Sequence, residues 1–304
     1  MCEKRGKPVV VLSKGDMASE NIAHHFLEMV KNNGFSVLKI REIPLPSPSQ
    51  KITHKMAKMR EYHNFYFIVS EVEHLYLDYV GELVKEVVGH PPSFIVFLSR
   101  HKSEKGLRSL TVHPTGNFKK PLFGGKERDF SFSEPYYQSF ALRTLFKFWK
   151  SQNELKDFSI SFEATHHGPY LNTPGFFIEI GSTEKEWNRK EAGALLGATV
   201  FETLNKWASE KTKKEKRTTA IGVGGGHYAP RFSQYAVGKD YDFGHIVPGY
   251  ACETLDPELC QKLIERTPGV NTIFLHGNKY REFGKMFLKA GKEIGIELDL
   301  EVLK

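Results

Sequence analysis

The sequence has little of what membrane proteins and disulfide-rich secreted proteins need. No stretch approaches the roughly 18 consecutive apolar residues of a membrane-spanning helix. Three cysteines (Cys2, Cys252 and Cys260) are too few, and wrongly spaced, for a disulfide framework or a cysteine-type zinc site, so a reducing cytoplasm is expected. The charged start, Met1 to Lys7, leads straight into an apolar run, so no signal peptide is expected.

The sequence also lacks the usual signatures of nucleotide binding and of serine hydrolases. Gly222 to Pro230 (GVGGGHYAP) is glycine-dense, but it is neither a GxGxxG turn leading into a helix nor a P-loop. No G-x-S-x-G elbow occurs, which argues against a serine nucleophile. Successive glycines can turn backbone N–H groups toward an anion, so Gly224, Gly225 and Gly226 either bind an oxyanion or form a tight turn.

Length and composition favour a globular α/β protein with an anionic partner. The 304 residues are 40% hydrophobic and 26% charged, enough for a single α/β domain over 1–304 with a possible weak subdivision near residue 150. The formal charge of +7 weakly favours nucleic acid as the partner. The basic run Lys211 to Arg217 is either a solvated loop or a phosphate-binding patch formed by Lys213, Lys214 and Lys216.

Short apolar runs alternate with helical patterns along the chain. The opening predicts a strand at Val9 to Ser13, a helix capped by Asp16 or Ser19, and a strand at Phe35 to Ile40, the unit that builds parallel sheets. The longest helix is predicted at Glu184 to Glu210. Further strands are predicted at Phe65 to Ser70, Phe94 to Ser99, Leu110 to His113, Phe158 to Ala164, Phe176 to Ile180, Thr219 to Val223, Phe243 to Val247 and Thr272 to Leu275. The pattern predicts a three-layer α/β/α architecture with a mixed, mostly parallel sheet.

Histidine recurs at the ends of the predicted strands. Apolar runs end in, or run just past, these histidines: His101, His113, His166, His167, His227, His245 and His276. Ligands of open α/β sheets bind beyond the carboxyl ends of the strands, so these side chains converge on one rim if the strands share a mostly parallel sheet. Neutral imidazole is the commonest zinc ligand, and the group is large enough for one zinc ion or two.

The pair His166 and His167 carries the strongest signal. Adjacent strand residues point to opposite faces, so both rings reach one pocket only where the strand has ended. Gly168 and Pro169 favour such an end, because the residue before proline is pushed into an extended or turn conformation. A lone histidine such as His276 or His101 is more typical of a hydrogen-bonded loop residue. The other histidines are predicted to lie at the surface: His24, His25, His54, His63, His74 and His90.

Two carboxylates accompany these histidines. Glu163 precedes the histidine pair in ISFEATHH, and Glu179 is embedded in the apolar strand GFFIEIGS. An ionised carboxylate in an apolar strand is costly unless it is paired or bound to a metal. Each is therefore predicted to be a metal ligand or the general base that acts on activated water. Glu179 is favoured as the base, because burial would raise its pKa toward a useful range.

Several motifs, in this order, carry a resemblance to a known family. They are SRHKSEKG (Ser99 to Gly106), LTVHPTGNF (Leu110 to Phe118), THHGP (Thr165 to Pro169), EIGSTEKEW (Glu179 to Trp187), GVGGGHYAPRF (Gly222 to Phe232) and GHIVPGY (Gly244 to Tyr250). The chain resembles the archaeal and plant type of D-aminoacyl-tRNA deacylase. The resemblance implies a zinc-dependent monomer with a phosphorylase/hydrolase-like fold, similar to that of peptidyl-tRNA hydrolases. It also implies hydrolysis of D-aminoacyl-tRNA to free D-amino acid and tRNA.

The resemblance does not assign individual metal ligands. Candidates are the histidines inside the matching motifs: His101, His113, His166, His167, His227 and His245. In the predicted mechanism a zinc-activated water attacks the ester, Glu163 or Glu179 takes its proton, and zinc or the glycine N–H groups hold the oxyanion. Two alternatives stay open: a zinc amidase or carboxypeptidase without nucleic-acid affinity, and a non-catalytic RNA-binding protein whose structural zinc is closed to water.

Overall fold

The computed structural model describes residues 6–45, 55–103, 106–210 and 217–303, so Lys213, Lys214 and Lys216 lie outside the described residues. The strands are β1 (Val9–Ser13), β2 (Lys39–Leu45), β3 (Lys55–Glu61), β4 (Tyr66–Ser70), β5 (Ile95–Lys102), β6 (Ser109–His113), β7 (Gly116–Asn117), β8 (Asp129–Phe130), β9 (Ser159–Phe162), β10 (Gly175–Ser182), β11 (Thr218–Val223), β12 (Tyr241–Val247), β13 (Thr272–Leu275) and β14 (Asp299–Val302). The helices are α1 (Met17–Asn32), α2 (Val80–Val88), α3 (Pro135–Lys150), α4 (Glu184–Trp187), α5 (Lys190–Ser209), α6 (Pro230–Gly238), α7 (Pro257–Glu265) and α8 (Arg281–Glu293).

The larger sheet has eight strands in the order β2-β3-β4-β1-β5-β10-β6-β9. Its centre, β4-β1-β5-β10, is parallel, whereas β3 runs antiparallel to both its neighbours and β6 runs antiparallel to β10. The central strands are apolar on both faces because helices cover both. Side chains of α1 and α5 pack on one face, and those of α2 pack on the other. The predicted α/β/α architecture with a mixed, mostly parallel sheet is confirmed.

A second, four-stranded sheet is parallel throughout, in the order β12-β11-β13-β14. One of its faces packs against α7 and α8, while Phe243 and Phe274 join the core beneath the larger sheet. The segment after β9 is tied to the loop after β11: Ala164 N–H donates to His227 O at 2.7 Å, and Ala229 N–H donates to Phe162 O at 2.9 Å. These bonds place the ends of β9 and β11 side by side.

The opening of the chain differs from the prediction in strand position. The second strand begins at Lys39 rather than Phe35, and β3 and β4 lie between it and β1. The two strands share a direction, as predicted, but they are not neighbours. The helix between them is capped as expected, since Asp16 Oδ1 accepts from Ser19 N–H at 2.9 Å.

The long helix predicted at Glu184 to Glu210 is interrupted between α4 and α5. The amide of Asn21 donates to the carbonyls of Trp187 and Arg189 at 2.8 and 2.9 Å, which satisfies carbonyl groups at the break. Within the ranges given above, no helix is both long enough and apolar enough to cross a bilayer.

Candidate active site and metal centre

The register of three neighbouring strands places two histidines and a glutamate on one face of the larger sheet. His101 of β5 lies opposite Gly181 of β10, and His113 of β6 lies opposite Phe177 of β10. Phe177, Glu179 and Gly181 are two residues apart along β10, so they share a face. His101, His113 and Glu179 therefore project to the same side, near the end of β5.

Two loops complete this group. β9 ends at Phe162, and Glu163 then forms an isolated β-bridge with Tyr228. His166 and His167 lie in irregular backbone, as predicted, and their imidazole rings are 4.3 Å apart between centroids. The loop after β11 brings His227, whose ring lies 4.6 Å from that of His166. The structure thus brings together seven of the predicted site residues, which we call the His/Glu cluster: His101, His113, Glu163, His166, His167, Glu179 and His227.

The Glu163 carboxylate is at the centre of the His/Glu cluster. Its Oε2 lies 3.0 Å from His227 Nε2, 3.2 Å from His101 Nδ1 and 3.6 Å from His166 Nε2. Glu163 is fully buried, yet neither carboxylate oxygen has a hydrogen-bond partner within the described ranges. Three imidazole nitrogens thus lie within ion-pair distance of a carboxylate that makes no well-aligned hydrogen bond. A cation between them would satisfy all four groups.

Backbone carbonyls fix the orientation of three rings in the cluster. The Nδ1 atoms of His113, His166 and His167 lie 3.1, 2.8 and 2.5 Å from the carbonyl oxygens of Pro114, Ala164 and Gly168, respectively. A carbonyl can only accept, so each Nδ1 carries the proton, and in the neutral ring Nε2 presents its lone pair. Metal-binding histidines usually have this arrangement.

Three overlapping sets in the cluster have ligand atoms within 4.8 Å of one another. They are His101, Glu163, His166 and His227; His113, His166 and His167; and His113, Glu163 and Glu179. Because His166 Nδ1 is hydrogen-bonded to Ala164 O, only its Nε2 is available as a metal ligand. It can serve the first or the second set, but not separate ions in both.

The pKa values of the cluster show that its carboxylates and histidines pair with one another. Against the effect of burial, Glu163 and Glu179 raise the pKa of His101 to about 11, and Glu179 raises that of His113. Burial alone would raise the pKa of Glu179, but His101 at 3.5 Å and His113 at 3.6 Å outweigh it and lower the pKa to about 2. His101 and His227 likewise hold the pKa of Glu163 well below its usual range, against the effect of burial. Burial and the charge of His113 lower the pKa of His167 to about 4 and hold that of His166 well below its usual range, so both rings are neutral. Burial acts on Glu179 in the expected direction, but the two histidines outweigh it, so the expected net rise of the Glu179 pKa is wrong.

Comparison with known proteins identifies the family. The family described as D-aminoacyl-tRNA deacylase matches residues 88–299. The D-aminoacyl-tRNA deacylase of Pyrococcus furiosus is 33% identical over 299 residues, which are 97% of this chain and 99% of that protein. The chain belongs to the D-aminoacyl-tRNA deacylase family. The enzyme of the same name from Thermococcus kodakarensis is 35% identical over 295 residues, 95% of this chain and 98% of that protein.

The family match includes the whole site, since every member of the His/Glu cluster lies within 88–299. A crystal structure of a conserved protein of unknown function resembles the fold over almost the full length. The superposition covers 97% of this chain and 95% of that protein, with a TM-score of 0.79 and 26% sequence identity.

His245 is the predicted ligand that lies apart from the cluster. It sits inside β12, two residues before the end of the strand, and is fully buried. Its Nδ1 lies 3.1 Å from Thr165 Oγ1, and its Nε2 lies 3.0 Å from Ser131 O, so both nitrogens have protein partners. Burial lowers its pKa to about 4. The structure corrects the assignment of His245 as a metal ligand and gives it a hydrogen-bonding role in the core.

The glycine loop Gly224, Gly225 and Gly226 precedes His227, but its N–H groups are not equivalent. Gly224 N–H donates to Val247 O at 2.8 Å, and Gly225 N–H is 3.4 Å from Tyr280 Oη. Among the described residues, Gly226 N–H has no partner. Gly224 and Gly225 adopt φ values of +106° and +85°, which require glycine. The loop therefore combines the predicted tight turn with one available donor.

Sequence reasoning missed two residues beside the cluster. His74, predicted at the surface, is 2% exposed, and its ring packs edge-on against Phe177, which also contacts His113 and His167. His74 follows the apolar run FYFIVS. The criterion that identified the other histidines, a position at or just past the end of such a run, could therefore have identified it as well. Tyr228 has a ring 5.6 Å from that of His101 and a buried hydroxyl without a partner in the described ranges. It lies in the motif GVGGGHYAPRF, directly after His227, but was not given a role.

Proposed function

We propose that this chain hydrolyses the ester bond of D-aminoacyl-tRNA and that the His/Glu cluster is its zinc-dependent active site. The observation that carries the proposal is the buried Glu163 carboxylate, which three imidazole nitrogens approach to 3.0–3.6 Å and which makes no well-aligned hydrogen bond within the described residues. Burying an uncompensated carboxylate costs free energy, and a bound cation would offset that cost. Membership of the deacylase family supports the substrate, an aminoacyl-tRNA.

The donor set fits zinc. Imidazole nitrogens with one carboxylate are typical zinc ligands, whereas magnesium and calcium prefer oxygen alone. His101, Glu163, His166 and His227 would hold the ion, and His113 with His167 or Glu179 would contribute to a second. When bound, zinc supplies Lewis acidity, which lowers the pKa of water and polarises a carbonyl.

The exposure of the cluster favours a catalytic rather than a purely structural metal. The side chains of His166 and His227 are 23% and 32% exposed, although Glu163 beneath them is fully buried. The cluster is therefore reached from solvent on the side of these two rings. A structural zinc is usually enclosed by four protein ligands, whereas a catalytic one keeps a position open.

The protein's own groups account for the proton transfers and the orientation of the ester. A water oxygen attacks the ester carbonyl carbon, the bond to the ribose oxygen breaks, and that oxygen leaves with a proton. Glu179, ionised and adjacent to His101 and His113, is proposed to accept the water proton and return it to the leaving oxygen. Gly226 N–H is the backbone donor proposed for the developing oxyanion.

Substitution of the two carboxylates separates ligand from base. Glu163→Gln should lose bound zinc together with activity, because an amide is a poorer metal ligand than a carboxylate. Glu179→Gln should retain zinc but lose ~10²- to 10⁴-fold in single-turnover rate, the usual contribution of a general base. Metal analysis and single-turnover hydrolysis of D-Tyr-tRNA measure both effects. Glu61→Gln, which removes an ion-paired glutamate on β3, outside the His/Glu cluster, is the matched control.

Two outcomes of this experiment contradict the assignments. If Glu163→Gln keeps full zinc, Glu163 is not a ligand. If Glu179→Gln keeps both zinc and the wild-type rate, the base is another group.

The proposal extends to the tRNA body and to assembly. We propose that Lys213, Lys214 and Lys216 contact tRNA phosphates, which the formal charge of +7 supports. Charge reversal at these positions should then weaken tRNA binding and flatten its salt dependence by ~0.7–0.9 log units per decade of salt for each lost contact.

We also propose that the protein is a cytoplasmic monomer, as the family resemblance implies. Sedimentation equilibrium of the purified protein tests the monomer, and cell fractionation tests the location.

A further inference from the structure

The segment 119–126 (KKPLFGGK), between β7 and β8, exposes apolar side chains beside the His/Glu cluster; we call it the 119–126 loop. Leu122 and Phe123 are 80% and 60% exposed. Covering large apolar side chains removes their surface from water, which is favourable. Exposed aromatic rings are common at binding surfaces.

The base of the 119–126 loop is held firmly against the site. Phe123 O accepts from Gly168 N–H at 2.8 Å, and the amide of Asn117 donates to Gly124 O at 3.0 Å. Gly124 has a φ of +66°, and a Cβ there would lie 1.7 Å from Leu75 O, so only glycine fits. The backbone of Phe123 is therefore fixed next to Gly168, the residue that follows His167 of the cluster.

The 119–126 loop is also basic. It contains Lys119, Lys120 and Lys126 and no acidic residue. Lys119 and Lys120 are exposed, while the Lys126 ammonium lies 4.0 Å from the centre of the Tyr170 ring. An exposed ring among lysines suits a single-stranded nucleic acid, because bases stack on aromatic side chains while phosphates are attracted to cations. An apolar protein surface would gain nothing from the three charges.

We propose that the 119–126 loop binds the unpaired 3′-terminal nucleotides of the tRNA substrate, with a base stacked on Phe123 and phosphates near Lys119 and Lys120. This inference rests on the proposed function, because the nucleotides that carry the aminoacyl ester must reach the His/Glu cluster. The loop would position the ester relative to the cluster without taking part in the chemistry, so Phe123 is a positioning residue.

The test combines RNA binding with kinetics for Phe123→Ala, with Phe123→Trp as the conservative variant. The control is Ile40→Ala, which removes a side chain that is 59% exposed on the edge strand β2. Binding is measured with a fluorescent single-stranded RNA that has the tRNA 3′-terminal sequence. Phe123→Ala should lower RNA affinity and the kcat/KM for D-Tyr-tRNA by about 5- to 100-fold, the range expected for one base–aromatic stack. The single-turnover rate at saturating enzyme and the zinc content should stay at wild-type levels, and Phe123→Trp should restore affinity.

The inference is overturned if Phe123→Ala binds RNA and turns over D-Tyr-tRNA as Ile40→Ala does. It is also overturned if Phe123→Ala loses zinc or saturating rate, since the ring would then support the cluster rather than the nucleotides. The RNA-binding measurement needs no catalysis. A wild-type protein that binds the RNA through Phe123 but does not cleave D-Tyr-tRNA would refute the proposed function alone.

Discussion

At the scale of single residues, backbone contacts fix the orientation of rings in the His/Glu cluster. Three of its histidines are held through Nδ1 by the carbonyl oxygens of their own chain segments, which directs Nε2 inward. His167 has a φ of +45°, an uncommon conformation for a residue other than glycine. Such outliers persist only where the surrounding structure imposes them, and they concentrate at functional sites. Orientation of the ligands thus comes from backbone geometry, which side-chain identity alone does not reveal.

His74 makes the stability of the fold depend on pH. Burial lowers its pKa from 6.5 to about 3; the charges of His167 and Arg100 lower it further, and that of Glu179 opposes them. The unfolded chain therefore binds the proton more readily, so the stabilisation is complete above pH 6.5 and is lost as the pH falls toward 3. Between pH 7 and pH 5 this one group should cost about 2 kcal/mol of unfolding free energy.

Urea unfolding of His74→Phe at pH 5, 6 and 7 measures this effect. The variant should lose the His74 contribution to the pH dependence, whereas His63→Phe, at an exposed position, should retain the wild-type dependence. An unchanged pH dependence in His74→Phe would show that the buried imidazole is not responsible.

The sequence predicted the site residues that follow from their position at a strand end. It did not predict properties that depend on contacts with residues distant along the chain. Histidine at the end of an apolar run located the five histidines of the cluster, because strand ends of α/β sheets meet. The same rule included His245, which lies inside its strand and is hydrogen-bonded to Thr165 and Ser131, residues distant along the chain. The ionisation of Glu179 could not be predicted either, since it depends on His101 and His113 from two other strands.

At the scale of elements, the buried strands were predicted well because burial on both faces leaves a continuous apolar run. β1 and β13 agree with the prediction residue for residue. The strand β3 (KMAKMRE) was missed: it is charged, and within residues 56–61 only the alternate residues Ala57 and Met59 are buried. The break between α4 and α5 was missed as well, because the amide that satisfies it belongs to Asn21 of another helix.

The contact between α1 and α5 depends on a glycine. A Cβ at Gly197 of α5 would lie 2.8 Å from the backbone nitrogen of Phe26 in α1. Gly197→Ala should gain up to ~1 kcal/mol in helix propensity but lose ~1–3 kcal/mol to overlap with a backbone that cannot rotate away. We expect a net loss of stability in urea unfolding.

Gly238→Ala, at the end of α6, is the matched control, because a Cβ there meets nothing within 4 Å. It should be neutral or slightly stabilising. If Gly197→Ala were as stable as Gly238→Ala, the helices would have room to separate and close approach would not be required.

At the scale of the whole molecule, the site depends on both sheets. His101, His113 and Glu179 come from the larger sheet, whereas His227 follows a strand of the smaller one. Both sheets contribute side chains to the same core cluster, including Val96 and Phe176 from one and Phe243 and Phe274 from the other. We propose on this basis that 1–304 is one domain, which a single cooperative calorimetric transition would support. Strand order and the meeting of the two sheets are tertiary properties that local patterns do not encode.

The central claim is that this family member removes D-amino acids from tRNA with a metal bound in the His/Glu cluster. The most direct test compares hydrolysis of D-Tyr-tRNA and L-Tyr-tRNA by the enzyme as purified, after chelation, and after zinc is restored. We predict that the D-ester is cleaved and the L-ester is spared, that chelation abolishes cleavage, and that zinc restores it. Equal cleavage of both esters, or full activity in protein shown to be free of metal, would contradict the account.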